Sequence, residues 1–229
     1  MTLAPMDPDE PRLATVELLG ALTYGQLRSF AATAQTVAIA PTISLAERIA
    51  DLAIGEYERH VRLRTHLETQ TELPAAVMDR QRPRFDAYFD RAPLGDWFGA
   101  CAFFALGLPI ASDFARAVAP VLDERTADVV VAALDRGGLQ QEALERCAVQ
   151  LTTEEQRDRA RHLAADLLGR ALTGFQAVMS DTDALDVLFA TDGDDVAGPQ
   201  HVRQLAMTVL EGHRRRVVEL GLEGLDDVS

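Results

Sequence analysis

A chain of 229 residues, 48% hydrophobic with only 6% aromatic residues, is long enough to bury a sizeable core as one large domain or at most two. Its formal charge of −14 excludes a broad nucleic-acid-binding surface, although all 22 basic residues are Arg and a local patch stays open. The isolated Cys101 and Cys147 exclude a disulfide framework, and the acids and prolines of MTLAPMDPDEPR exclude a signal peptide, so a cytoplasmic protein is expected.

Residues 1–11 read as a disordered lead-in. A helix follows from about residue 12 to 39, stopped by Pro41. Its stripe Val16, Leu19, Thr23, Gln26, Phe30, Thr33 and Val37 alternates intervals of three and four, which puts Gln26 at mid-helix on the inward face. A core amide satisfied by a neighbour is the plain reading of that position.

The second helix is expected over 44–70, opening at Ser44 with Glu47 as a capping box. Leu45, Ile49, Leu52, Glu56, Arg59 and Leu63 make one stripe. Ile49, Ala53, Glu56, His60, Leu63 and Leu67 make another of equal quality. Both place Glu56 inward, where a carboxylate is costly unless a charge meets it. Periodicity does not choose between Arg59 and His60 as its neighbour. Bundles that hold two metal ions carry a Glu with a His three residues later; here Arg59 stands at that spacing.

Residues 71–95 read as a crossover with one short amphipathic piece around Phe85, Tyr88 and Phe89. A third helix is expected over 94–121. Its uncharged run from Trp97 to Ser112 is shorter than the roughly 18 residues of a membrane span and reads as a buried central helix. Pro109 is expected to kink it and Gly107 to loosen the same turn. Asp113 follows that run directly, and contact with water would explain it equally well.

The fourth helix, 124–150, carries Arg136 on the inward stripe with Val129, Ala132, Leu139 and Ala143, and Gly137–Gly138 weakens it locally. A fifth over 152–180 opens on Thr152 or Thr153 with a capping acid or amide behind. DALDVLFA reads as a short helix and GDDVAGP as a loop. Residues 200–220 form the last helix before the polar tail 223–229. No strand pattern appears, so the fold class is all-α: one domain over 12–222, its central four helices being the first four.

YGQLRSF, EYERHVRLR, ASDF, ADVVVAALDRGGLQQ and HRRRVVELGL, in this order from Ala14 to Leu222, resemble ferritin-like proteins of actinobacterial type. These are similar to the di-iron tRNA hydroxylase acting on methylthiolated, isopentenylated adenosine. The resemblance implies a four-helix bundle with additional C-terminal helices. Its metal pattern is a Glu, then Glu-x-x-His, then a carboxylate, then Glu-x-x-His. Those positions fall here on Gln26, on Glu56 and Arg59, on Asp113, and on Arg136 and Leu139. Only Glu56 and Asp113 keep a ligand type.

Arg cannot ligate a metal, and two guanidiniums facing two carboxylates make a neutral cluster. The expectation is therefore a non-catalytic binding or structural module with no metal or other cofactor, in which Gln26, Glu56, Arg59, Asp113 and Arg136 meet at the centre. The family match places Arg59 inward in preference to His60. The alternative is a di-iron or di-manganese hydroxylase of a modified tRNA nucleoside with displaced ligands, holding two metal ions through His60, Glu142 and Glu145. A third reading is an unrelated helical regulator or homo-oligomer whose acidic surface meets a basic partner. Partners are otherwise open, with no membrane expected.

Overall fold

The computed structural model describes residues 9–135, 137–181 and 197–223, and no strand occurs among them. The lead-in 1–8, Arg136, the DALDVLFA and GDDVAGP segments up to residue 196, and the tail from 224 lie outside the described residues.

Helix α1 (Asp9–Gln35) begins at Asp9, earlier than expected, with Pro11 in its first turn where a missing N–H costs nothing. It tightens into a 3-10 turn over Thr36–Ile39 and ends at Ala40, which is extended, as a residue before proline prefers. Helix α2 (Ile43–Gln70) is capped by Thr42, whose hydroxyl accepts from Leu45 N at 3.2 Å, and not by the expected Ser44–Glu47 box. The 71–95 connection holds a full helix, α3 (Pro74–Phe89), with Pro74 at its start and Pro83 inside it. Gly20 and Gly25 of α1 let α3 lie close, since a Cβ at either would run into Val77 or Phe85.

Asp96 caps α4 (Trp97–Ala102) by accepting from Gly99 N at 2.9 Å. The expected kink near Pro109 is a π-helical turn over Phe103–Gly107, closed by Leu108 N donating to Phe103 O at 3.0 Å. One extra residue in that turn lets α5 (Pro109–Val118) restart with proline at its head. Trp97–Val121 is long and apolar enough to cross a membrane, but 89% of its most apolar window is buried inside the protein.

The expected 124–150 helix is two: α6 (Glu124–Leu134) and α7 (Gly137–Ala148), parted where Asp135 turns extended ahead of the glycine pair. Helix α8 (Glu154–Asp181) opens on the capping box foreseen from sequence: Gln156 Oε1 accepts from Thr153 N at 3.0 Å and Thr153 Oγ1 accepts from Gln156 N at 3.2 Å. Helix α9 (Ala197–Glu219) closes the chain, and packs along α5 as an integral member of the bundle.

Two apolar clusters fill the interior. One joins Leu19, Leu22, Leu63, Leu67, Phe114 and Val209; the other joins Ala32, Phe103, Leu106, Cys147, Leu167 and Leu222. Between them along α1 and α2 runs a buried polar band: Thr23, Gln26, Ser29 and Thr33 facing Glu56 and His60. Buried polar side chains need partners, so this band is where the fold's chemistry sits.

Candidate functional site

Gln26 is 1% exposed and Glu56 3%. The Gln26 amide nitrogen donates to Glu56 Oε2 in a short hydrogen bond and to the Glu56 backbone carbonyl at 3.2 Å. Arg59, half-buried, reaches back along α2 to place Nη1 3.4 Å from Glu56 Oε1. A donor-rich amide and a guanidinium thus meet the carboxylate.

His60 corrects the expectation for α2. It is 8% exposed, and its Nδ1 stands 3.0 Å from the Thr23 carbonyl, so that nitrogen carries the proton. Of the two stripes open from sequence, the folded helix buries Ile49, Ala53, Glu56, His60, Leu63 and Leu67. A compact ring fits against α1, whereas the longer Arg59 can lie at the rim and still reach the carboxylate. Burial lowers the His60 pKa and keeps the ring neutral. Thr23 turns its hydroxyl onto Leu19 O at 2.6 Å, so it needs no further partner.

Asp113 does not join this group, contrary to the expected central cluster. It is 3% exposed, but it faces α9. Its Oδ2 lies 2.7 Å from Arg216 Nη1, and its Oδ1 accepts from Arg116 at 3.1 Å. Gly212 makes the room, since a Cβ there would fall inside contact distance of the carboxylate. The proposed partner Arg136 lies outside the described residues, as does the side chain of Leu139.

The displaced-ligand set is not brought together either. Glu142 is bound by Arg48, with Nη2 at 2.6 Å, and by Arg146 at 2.7 Å. The Arg48 guanidinium, helped by Arg146, pulls its carboxyl down to about 2. Glu145 points to solvent on the same helix. Among the described residues no three His, Cys, Asp or Glu side chains converge as a metal ion would require. Gln26 presents N–H to Glu56, and Arg59 presents N–H as well; this donor set does not fit a di-iron centre.

Sequence reasoning missed Arg216 and Gly212. The HRRRVVELGL segment entered only through the family resemblance; the available signal was the four-residue spacing of Gly212 and Arg216, a small notch and a cation on one face. It missed His213 too, which is 3% exposed and pushed down to about 4, first by burial and then by the charge of Arg216. Both cysteines are free and buried, their thiols pushed up by desolvation to about 11 for Cys101 and about 12 for Cys147.

Two cavities flank the Gln26–Glu56 pair. One of about 110 Å³ is bounded by α1, α3, the π turn, α5, α6 and α8, with Gln26 in its wall. The other, about 50 Å³, has Glu56, Gln140 and Arg146 in its wall and shares Leu108 with the first.

An all-helical bundle with a carboxylate and an amide buried at mid-helix, and a guanidinium reaching the carboxylate from the rim, has a ferritin-like architecture. The chain matches the ferritin-like domain of actinomycetes over residues 9–192 and belongs to that family. No curated protein matches it.

Proposed function

We propose that this chain is a non-catalytic ferritin-like module that has exchanged its metal centre for a hydrogen-bonded polar band and works by binding. The observation that carries the reading is the Gln26–Glu56 hydrogen bond, with Arg59 at 3.4 Å on the second carboxylate oxygen. Glu56 is the remaining carboxylate at that level, and each of its oxygens already has a donor. Asp113, the other, is held by Arg216 against α9.

The displaced-ligand hydroxylase draws support from His60 alone, whose ring is buried beside α1. Its Nδ1 donates to Thr23 O and leaves Nε2 as the acceptor, but its supposed partners Glu142 and Glu145 are ion-paired and solvent-facing respectively. The kinship with tRNA hydroxylases is therefore proposed for architecture and not for reaction, and a charge of −14 lends nothing to tRNA binding.

Elemental analysis of protein purified without chelator or affinity metal tests this. The expected result is iron, manganese and zinc far below one atom per chain. Two iron atoms per chain would make it an oxygen-activating enzyme and end the proposal.

A further inference from the structure

The larger cavity has the makings of a ligand site. Its walls are almost wholly apolar, with Leu22, Phe85, Phe89, Ile110, Phe114 and Leu134 among them. Three buried polar atoms of wall residues, Gln26 Oε1, Tyr88 OH and Arg170 Nε, have no hydrogen-bond partner among the described residues. Native interiors leave few such atoms unanswered, because each costs its desolvation. The amide cannot be turned to hide its oxygen, since that would set Oε1 against the Glu56 carboxylate.

The backbone is also shaped around this space. Gly107 closes the π turn and lines the cavity, and a Cβ there would press on Phe103 and stand 3.0 Å from Tyr88 OH. π turns are local distortions of a helix and recur at functional sites. Here the distortion and the missing side chain keep one wall open.

Size and chemistry then narrow the occupant. A cavity of roughly 150 Å³ lined by Leu, Ile and Phe accommodates benzene, so about 110 Å³ suits one small ring or a short branched chain. Gln26 Oε1 can only accept a hydrogen bond, so a carboxylate head would be repelled there, and the two guanidiniums of the wall are held elsewhere, Arg170 by Asp166 and Arg84 by Gln81. An ammonium would surrender its hydration to apolar walls. A hydroxyl satisfies the amide oxygen and carries no charge.

We propose that this cavity binds a small neutral phenol or alcohol, its hydroxyl donating to Gln26 Oε1 and its apolar body lying among Phe85, Phe89 and Phe114. The site depends on the metal-free reading of Gln26 given above.

The test is calorimetric titration of the full chain with phenol and with toluene, which differ only in the head. The parent is expected to bind phenol saturably at one per chain. In Gln26→Leu/Glu56→Leu, where both members of the buried pair become apolar, the affinity for phenol relative to toluene should fall about tenfold, the worth of one hydrogen bond. Ala111→Leu, at the cavity wall, should weaken both ligands at least as much and needs no change in the polar band. Absence of saturable phenol binding to the parent overturns the proposal. So does an unchanged phenol-to-toluene ratio in a folded double variant, or unchanged binding in Ala111→Leu. Failure of the metal-free reading would show separately, as stoichiometric Mn(II) uptake by the parent with no organic ligand present.

Discussion

Glu56 and Asp113 meet the same problem, a carboxylate sealed in a helical bundle, and solve it with different partners. Glu56 is answered by an amide from α1 and a guanidinium from its own helix. Asp113 is answered by Arg216, itself only 7% exposed, and from the outside by Arg116. Removing one partner of a buried pair leaves an uncompensated charge, at a cost of about 3–5 kcal/mol. Arg216→Leu should approach that figure, softened because the exposed Arg116 remains. Asp113→Leu/Arg216→Leu should cost much less than the single change. Urea denaturation of the three proteins measures it, and equal losses in the single and double variants would refute the pairing. At this scale the sequence was half legible. The inward placement of Gln26 and Glu56 could be read from spacing, but Asp113 was left open between core and water, since its burial depends on α9, about a hundred residues away, and no periodicity reports that. The choice of His60 over Arg59 was decided by shape, a compact ring against α1 compared with a long side chain that serves from the rim.

Glycine marks a close approach of helices at some positions and open space at others. Gly169 in α8 is exposed, with nothing near the position of a Cβ, and Gly212 in α9 is pressed against the Asp113 carboxylate. In an open helix, Gly→Ala stabilises by about 0.5–1 kcal/mol because the unfolded chain loses freedom. Gly169→Ala should therefore stabilise by that much. Gly212→Ala should destabilise, by roughly 1–3 kcal/mol as overpacking usually does, since the added carbon must displace a charged group held on both sides. Opposite signs of the shift in melting temperature check this; a stabilising Gly212→Ala would mean that α9 stands off from α5. The long helices other than α3 were legible from apolar period and caps, as the Thr153–Gln156 box shows. The breaks were less so. Gly107 and Pro109 announced a distortion, but a π turn and a kink have the same local signature. The split at Asp135 looked like a mere weakening of one helix. Helix α3 was under-read because Pro83 interrupts its pattern, although proline there is tolerated and the helix continues through it.

For the molecule as a whole, acid is the natural probe, because buried neutral histidines and exposed carboxylates respond to it with opposite signs. Protonating surface acids relieves the self-repulsion of a chain carrying −14. His213 works the other way. Burial first, and the Arg216 charge second, push it down to about 4, while the nearby Asp113 charge and the carbonyls of Leu106 and Ala164 offset only part of this. In the unfolded chain an ordinary histidine titrates near 6.5. Between those values the unfolded state binds a proton that the folded state refuses, so stability is full above about pH 6.5 and drains away as pH falls toward 4. The gap corresponds to about 3 kcal/mol, and His60 and His66, also lowered by burial, add to it in the same direction. Glu142, held near 2 by Arg48 and Arg146, loses its smaller contribution, on the order of 1 kcal/mol for so exposed a group, only below about pH 4.5. The two windows barely overlap, so a comparison of parent and variant isolates the histidine. His213→Gln keeps a neutral polar side chain among the same carbonyls and abolishes the titration. Its unfolding free energy, measured in urea from pH 7 to 4.5, should lose up to one proton's worth of slope relative to the parent, about 1.4 kcal/mol per pH unit at the steepest point. If the two curves run parallel through that window, the ring of His213 is not held neutral by the bundle, and the packing of α9 against α5 is looser than its contacts indicate.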